Sequence, residues 1–146
     1  MSVKIITDST ADMPDSGKNR ILTVPMHVRF GSEEYLDGVT LSRQDFYEKL
    51  AQSKELPATS QPSPAAFAEI FEQVVSAGDT AVVITISAKL SGTYQSACIA
   101  AEEYAGTGFV VDSATVALGT GAFALRAVQL AEDGLEAAAV AAQLEK

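Results

Sequence analysis

Apolar residues recur along the chain in two alternating rhythms. Short, nearly unbroken runs rich in Val and Ile occupy residues 3–6, 80–86 and 108–111. Runs of that length and continuity predict strands covered on both faces. Between them the spacing turns helical. Phe67, Ile70, Phe71, Val74 and Val75 fall one turn apart and make a single apolar face, as expected of a helix packed on a sheet. Ser63 stands where an N-cap belongs, and Pro64 takes the first helical position, where its missing N–H costs nothing. Gly78 is placed to stop that helix.

Residues 94–104 and 117–132 read as further helices, the second ended by Gly134, and Leu135 opens one more that runs to Lys146. A second strand is predicted over 21–30, with Val24, Met26, Val28 and Phe30 on one face and Thr23, Pro25, His27 and Arg29 on the other. A turn at 31–34 returns the chain as a hairpin arm at Tyr35 and Leu36. Ser42-Arg43-Gln44-Asp45 resembles a capping box opening a helix over 43–53, with Phe46, Tyr47 and Leu50 as its buried stripe. This order of elements predicts an α/β fold: a mostly parallel sheet with helices on both faces, in Rossmann-like layers. Ile6, Val83, Ile84 and Val111 belong to its central strands.

With 146 residues, 47% hydrophobic and 20% charged, the chain is one ordinary globular domain. No apolar stretch is long enough to span a bilayer. The first residues run straight into a strand pattern rather than a signal peptide, so a cytoplasmic location is expected. Nineteen acidic against ten basic residues give a net charge of −9, which argues against nucleic acid as a partner. Cys98 is the only cysteine and reads as a small core side chain. The final helix has no strand after it to receive it, so residues 136–146 are expected to lead into a second domain.

In open parallel sheets, ligands bind beyond the carboxyl ends of the strands. Small polar residues collect there: Asp8, Ser9 and Thr10 after the first strand, residues 87–93 after the third, Asp112 and Ser113 after the fourth. Thr59-Ser60-Gln61 precedes a helix start and reaches the same rim. A serine nucleophile needs a base, and the only histidine, His27, lies mid-strand on a polar face. Ser91 has Lys89 where a nucleophile elbow would carry a glycine, which leaves a Ser91–Lys89 hydrolase as an open alternative. No phosphate loop and no clustered metal ligands are present. The hydroxyls of Ser91 and Thr93 beside a helix N-terminus, with Gly92 between them, suit an anion such as a carboxylate or phosphate. Equally, Ser91 serves as the cap of its own helix.

Five segments in order, "ITDSTADMP" (6–14), "YLDG" (35–38), "TSQPSP" (59–64), "LSGTYQSA" (90–97) and "VVDS" (110–113), resemble the DegV family over the whole chain. The resemblance implies a bacterial protein that encloses a long-chain fatty acid as its ligand, with no metal, no cofactor and no catalysis of its own. It further implies that some members present the acyl carboxylate to a separate fatty acid kinase catalytic subunit. By the same resemblance Thr59 and Ser91 match the residues whose hydroxyls hold the carboxylate, with Ser60, Gly92, Thr93, Asp8 and Ser9 around them. A further family ligand, a histidine of a second domain, has no counterpart here. The chain is therefore read as a DegV amino-terminal domain, 1–146, with an open apolar groove that favours weak acid binding and self-association. The phosphotransferase or dihydroxyacetone-kinase type of interaction module, related in fold, is the other alternative.

Overall fold

The computed structural model describes residues 1–145. Along the chain run β1 (Val3–Asp8), α1 (Asp15–Lys18), β2 (Ile21–Val24), β3 (His27–Phe30), β4 (Glu33–Leu36), α2 (Arg43–Gln52) and β5 (Ala58–Ser60). Then follow α3 (Pro64–Ser76), β6 (Thr80–Thr85), α4 (Thr93–Ala101), β7 (Gly108–Asp112), α5 (Leu118–Glu132) and α6 (Ala137–Leu144). A short 3-10 turn, Glu102–Tyr104, closes α4. Lys146, the end of the predicted last helix, lies outside the described residues.

The main sheet is parallel, in the order β2-β1-β6-β7. Register aligns Ile5 with Val82, Ile6 with Val83, and Ile84 with Val111. Alternation then sends successive side chains to opposite faces. Ile5, Val82, Ile84 and Val111 meet Ala124, Val128 and Val140 of α5 and α6. Ile6, Ala81 and Val83 meet Phe67, Phe71 and Ala97 of α3 and α4. Helices on both faces explain why these strands carry no polar alternation.

β1 connects toward β2 on one side, while β6 and β7 lie on the other. The order of strands reverses between β1 and β6, and that gap at the carboxyl edge is the usual ligand crevice of such sheets. Asp8 ends β1 there and is fully buried. Its Oδ2 accepts from the Ile86 N–H at 2.7 Å, and its Oδ1 accepts from the Thr10 N–H at 2.9 Å and from the Thr10 hydroxyl.

The strand expected over 21–30 is two strands in two sheets. It breaks at Pro25 and Met26, and β3 joins β4 and β5 in a small antiparallel sheet of order β4-β3-β5. Pro25 has no N–H for a ladder. The Ser9 N–H donates to Val24 O at 3.0 Å, and Ser9 Oγ accepts from the Met26 N–H at 2.9 Å. His27 therefore opens β3 rather than lying mid-strand. The hairpin arm and both N-caps form as the residues predict: the side chains of Ser42 and Ser63 accept from Asp45 N–H and Ala66 N–H. The stripe on α2 is narrower than expected. Phe46 and Leu50 pack on Phe30, but Tyr47 is 61% exposed, with its ring edge-on to Phe46. The buried floor here is only Val28 and Phe30 of the small sheet with Leu41 from the loop after it, and Tyr35 also packs on it, which leaves Tyr47 uncovered.

Gly121, in the first turn of α5, packs against the chain after β1, where a Cβ would overlap the Asp12 carbonyl oxygen. The backbone must shift to admit a methyl, so Gly121→Ala is expected to lower stability by about 1–3 kcal/mol, read as an earlier urea midpoint. Asp8→Ala strands the buried Ile86 N–H and is expected to cost about 1–3 kcal/mol in the same assay. Asp8→Asn, which keeps one acceptor oxygen, should fall between. A wild-type midpoint for Asp8→Ala would show that this carboxylate does not hold β1 to the exit of β6.

Candidate functional site

The turn between β6 and α4 builds the rim. The N–H groups of Leu90 and Ser91 both donate to Ser87 O, at 2.9 and 3.2 Å, curling residues 87–91 into one tight turn. Two further bonds fasten it to the loop after β7: Ser87 N–H to Thr115 O at 2.8 Å, and Ala88 N–H to Asp112 Oδ1 at 3.1 Å. The chain then enters α4 through Gly92, which has no side chain to cap the helix.

Ser91 is half-buried and supplies what Gly92 lacks. Its Oγ accepts from the Thr93 N–H at 3.2 Å and lies 2.8 Å from Thr93 Oγ1. Thr93 is fully buried and donates onward to Met26 Sδ at 3.7 Å. The capping role is thus real and uses one lone pair of the Ser91 hydroxyl. With Thr93 donating to Met26, the Ser91 proton goes to Thr93 Oγ1, and donating it to a ligand at the rim requires the hydroxyl to turn away from Thr93. The following N–H groups of the first helical turn have no partner within the helix and carry its positive dipole end. Tyr94, in that turn, has its hydroxyl held above the ordinary phenol range, first by its hydrogen bond to Cys98 and then by burial. It remains neutral beside the rim at physiological pH.

Thr59 and Ser60 form the exposed edge strand β5, directly opposite Val28 and His27. Cross-strand partners share a face, so Thr59 lies on the side of Val28, and Met26, which touches Thr93, comes two residues before Val28. Gln61, directly after β5, completes the link. Its Nε2 donates to Ser96 Oγ at 3.3 Å, and its amide fills the space that a Cβ on Gly92 would occupy. The "TSQ" and "LSGT" segments, thirty residues apart in sequence, are thereby held together through Gln61. Sequence reasoning had placed Gln61 on the rim without a role; its reach to Gly92 explains why a glycine stands there.

Asp8 and Ser9 belong to the same edge but spend their polar atoms internally, on Ile86, Thr10, Val24 and Met26. Asp112 likewise accepts from Ala88 and Ala114 N–H groups. They shape the loops that carry Ser91. Lys89 is exposed, and among the described residues no hydrogen bond joins it to Ser91. His27 faces Glu34, Nδ1 to Oε1 at 2.9 Å, beside a cleft of about 150 Å³ that Arg29, Thr59 and Ser60 also line. A larger cavity of about 650 Å³ lies at the opposite edge of the sheet, lined by Val3, Ile5, Arg20, Phe109 and Leu135. Among the described residues no three His, Cys, Asp or Glu side chains gather to hold a metal ion, and no helix is long and apolar enough to cross a membrane.

The chain is similar to a DegV domain-containing protein of Deinococcus radiodurans, 40% identical over the whole chain and 53% of that relative. Among solved structures it resembles a fatty-acid-binding DegV family protein from Thermus thermophilus, with a TM-score of 0.87 and 37% identity over 99% of this chain and 52% of the other. A stearic acid-binding protein from Eubacterium ventriosum matches with a TM-score of 0.86 and 30% identity, again over 99% of this chain and 52% of that one. The chain thus spans about half the length of the relatives it matches. The DegV family model covers residues 2–146, and the chain belongs to the DegV family.

Proposed function

We propose that this chain is the amino-terminal part of a DegV protein and holds the carboxylate of a long-chain fatty acid at the carboxyl rim of its parallel sheet. Ser91 and Thr59 donate their hydroxyls, with Gly92, Thr93 and Ser60 shaping the seat and Asp8 and Ser9 setting the loops. The observation that carries this reading is the half-buried Ser91 hydroxyl at the N-terminus of α4, tied through Gln61 to the strand that bears Thr59. The fatty acids of the T. thermophilus and E. ventriosum proteins, whose folds this chain shares, support it.

Electrostatics is consistent with an anion here despite the net charge of −9. The two rim carboxylates, Asp8 and Asp112, are both satisfied by backbone N–H groups. The donors left over are hydroxyls and the first turn of α4, which favour negative charge. The same inventory supports binding over hydrolysis, since Ser91 bonds Thr93 and, among the described residues, no base is hydrogen-bonded to it. A reaction at the bound carboxylate is therefore assigned to a separate kinase subunit, to which this protein presents the acid.

Each hydroxyl bonded to a charged carboxylate contributes about 1.5–3 kcal/mol. Ser91→Ala and Thr59→Ala are each expected to weaken palmitate binding roughly ten- to hundredfold in calorimetric titration, with the circular dichroism spectrum unchanged. Wild-type affinity in both variants would place the carboxylate elsewhere.

A further inference from the structure

β5, which carries Thr59, is three residues long, and each of them is exposed. It lies at the edge of the small sheet, and β3 is the one strand that pairs with it. So short a ladder, open on its other side and backed by no buried side chain of its own, opens easily. Ser91 is placed differently: its turn is tied to the loop after β7, and its hydroxyl is bonded within α4. A carboxylate shared by the two hydroxyls therefore needs something to hold β5 to α4.

Gln61 supplies that fixed point, and Ser96 receives it. The Gln61 Nε2 donates to Ser96 Oγ at 3.3 Å. Ser96 is 3% exposed, and its N–H donates to Gly92 O at 3.0 Å, so core and helix together hold the acceptor still. On its way the amide crosses Gly92. The three heavy atoms nearest to where a Cβ on Gly92 would stand all belong to Gln61. Gly92 has a φ of −74°, which residues with a side chain adopt freely. The neighbouring amide, and not the backbone, is what excludes a side chain at 92.

We infer that Gln61 and Ser96 are positioning residues of the carboxylate seat: the bond between them sets Thr59 relative to Ser91, and Gly92 is small so that the amide can pass. The inference rests on the fatty-acid reading above and deepens it by naming the pair that brings the two hydroxyls into register. The pair acts through Thr59 alone, since Ser91 keeps its own bonds to Thr93 whether Gln61 is present or not. A neutral hydrogen bond of this kind changes an equilibrium by roughly three- to tenfold.

Double-mutant cycles, read by calorimetric titration of palmitate, test this. Gln61→Ala and Ser96→Ala are each expected to weaken binding roughly three- to tenfold, and the two together no more than either alone. Gln61→Ala should cost the same factor in a Ser91→Ala background and nothing in a Thr59→Ala background, because Thr59 is the group it places. Gly92→Ala should weaken binding by displacing the amide, and become neutral once residue 61 is alanine. Without acid, hydrogen exchange at residues 58–60 should quicken in Gln61→Ala. Gln61 is exposed, so its loss should leave the urea midpoint in place, which a merely structural brace would lower. Should Ser96→Ala fail to fold, Gln61→Met, which keeps the length without the donor, tests the same bond. Wild-type affinity in Gln61→Ala overturns the inference and leaves the fatty-acid reading standing. An equal loss with and without Thr59 also overturns it, as does a Gly92→Ala loss that persists without Gln61. A wild-type chain that binds no acid overturns the fatty-acid reading, and the positioning role falls with it.

Discussion

Everything at the rim depends on one buried carboxylate. A charged group taken out of water is costly unless hydrogen bonds replace its hydration, and Asp8 is fully buried. Its donors come from two places: its own corner, through Thr10, and the far side of the strand-order reversal, through Ile86. The first ties down the corner whose next residue, Ser9, accepts from Met26 and steers the chain out of the parallel sheet. The second fixes the exit of β6, from which the Ser91 turn springs. The two routes meet again where Met26 Sδ accepts from Thr93, the residue that shares a hydrogen bond with Ser91. The rim is thus closed into a ring of contacts that begins and ends at Asp8.

That ring explains which parts of the architecture could be read from residues alone. Strands sheltered on both faces leave a continuous apolar signature, so β1, β6 and β7 and the layered fold followed from 3–6, 80–86 and 108–111. Caps and terminators act locally, and Ser42, Ser63, Gly78 and Gly134 marked their helices for that reason. The break at Pro25 was hidden because Val24 in one sheet, Met26 in the break, and Val28 and Phe30 in the other sheet are all buried. Period-two alternation reports burial and is silent about which sheet supplies it. Tyr47 misled in a similar way: helical spacing identifies a face, but the width of the surface it meets is a tertiary property.

The candidate site was legible as a set of residue types and not as an arrangement. Ser91, Thr93 and Thr59 advertise hydroxyls, and their segments matched a family pattern. What joins them is Gln61, whose significance lies in the glycine it packs against thirty-one residues later, and no local rule couples those positions. Asp8 presented the opposite difficulty. As an acidic residue at a strand end it reads as a ligand-facing group, yet its lone pairs serve backbone donors that become its neighbours only after β1 and β6 pair.

The larger cavity, at the other edge of the sheet, differs from the rim in its surroundings. Three of its charged neighbours are paired: Lys4 with Asp79 at 3.5 Å, and Arg20 with Glu132. It lies where the parallel strands begin, and the helix N-termini that follow β6 and β7 are at the other end. β6 and β7 exit at the carboxyl edge and hand the chain to α4 and α5 there, so the free N–H groups and positive dipole ends of those two helices lie on that edge. α6, which follows another helix, begins at the opposite edge, where Glu136 and Ala137 line the cavity. The carboxylate seat proposed above uses the hydroxyls and helix N-terminus of the carboxyl rim, and the larger cavity lies opposite. The rim need not be a closed pocket to be selective, provided its donors are fixed in place. Here they are fixed by bonds to Ser87, Asp112 and Asp8.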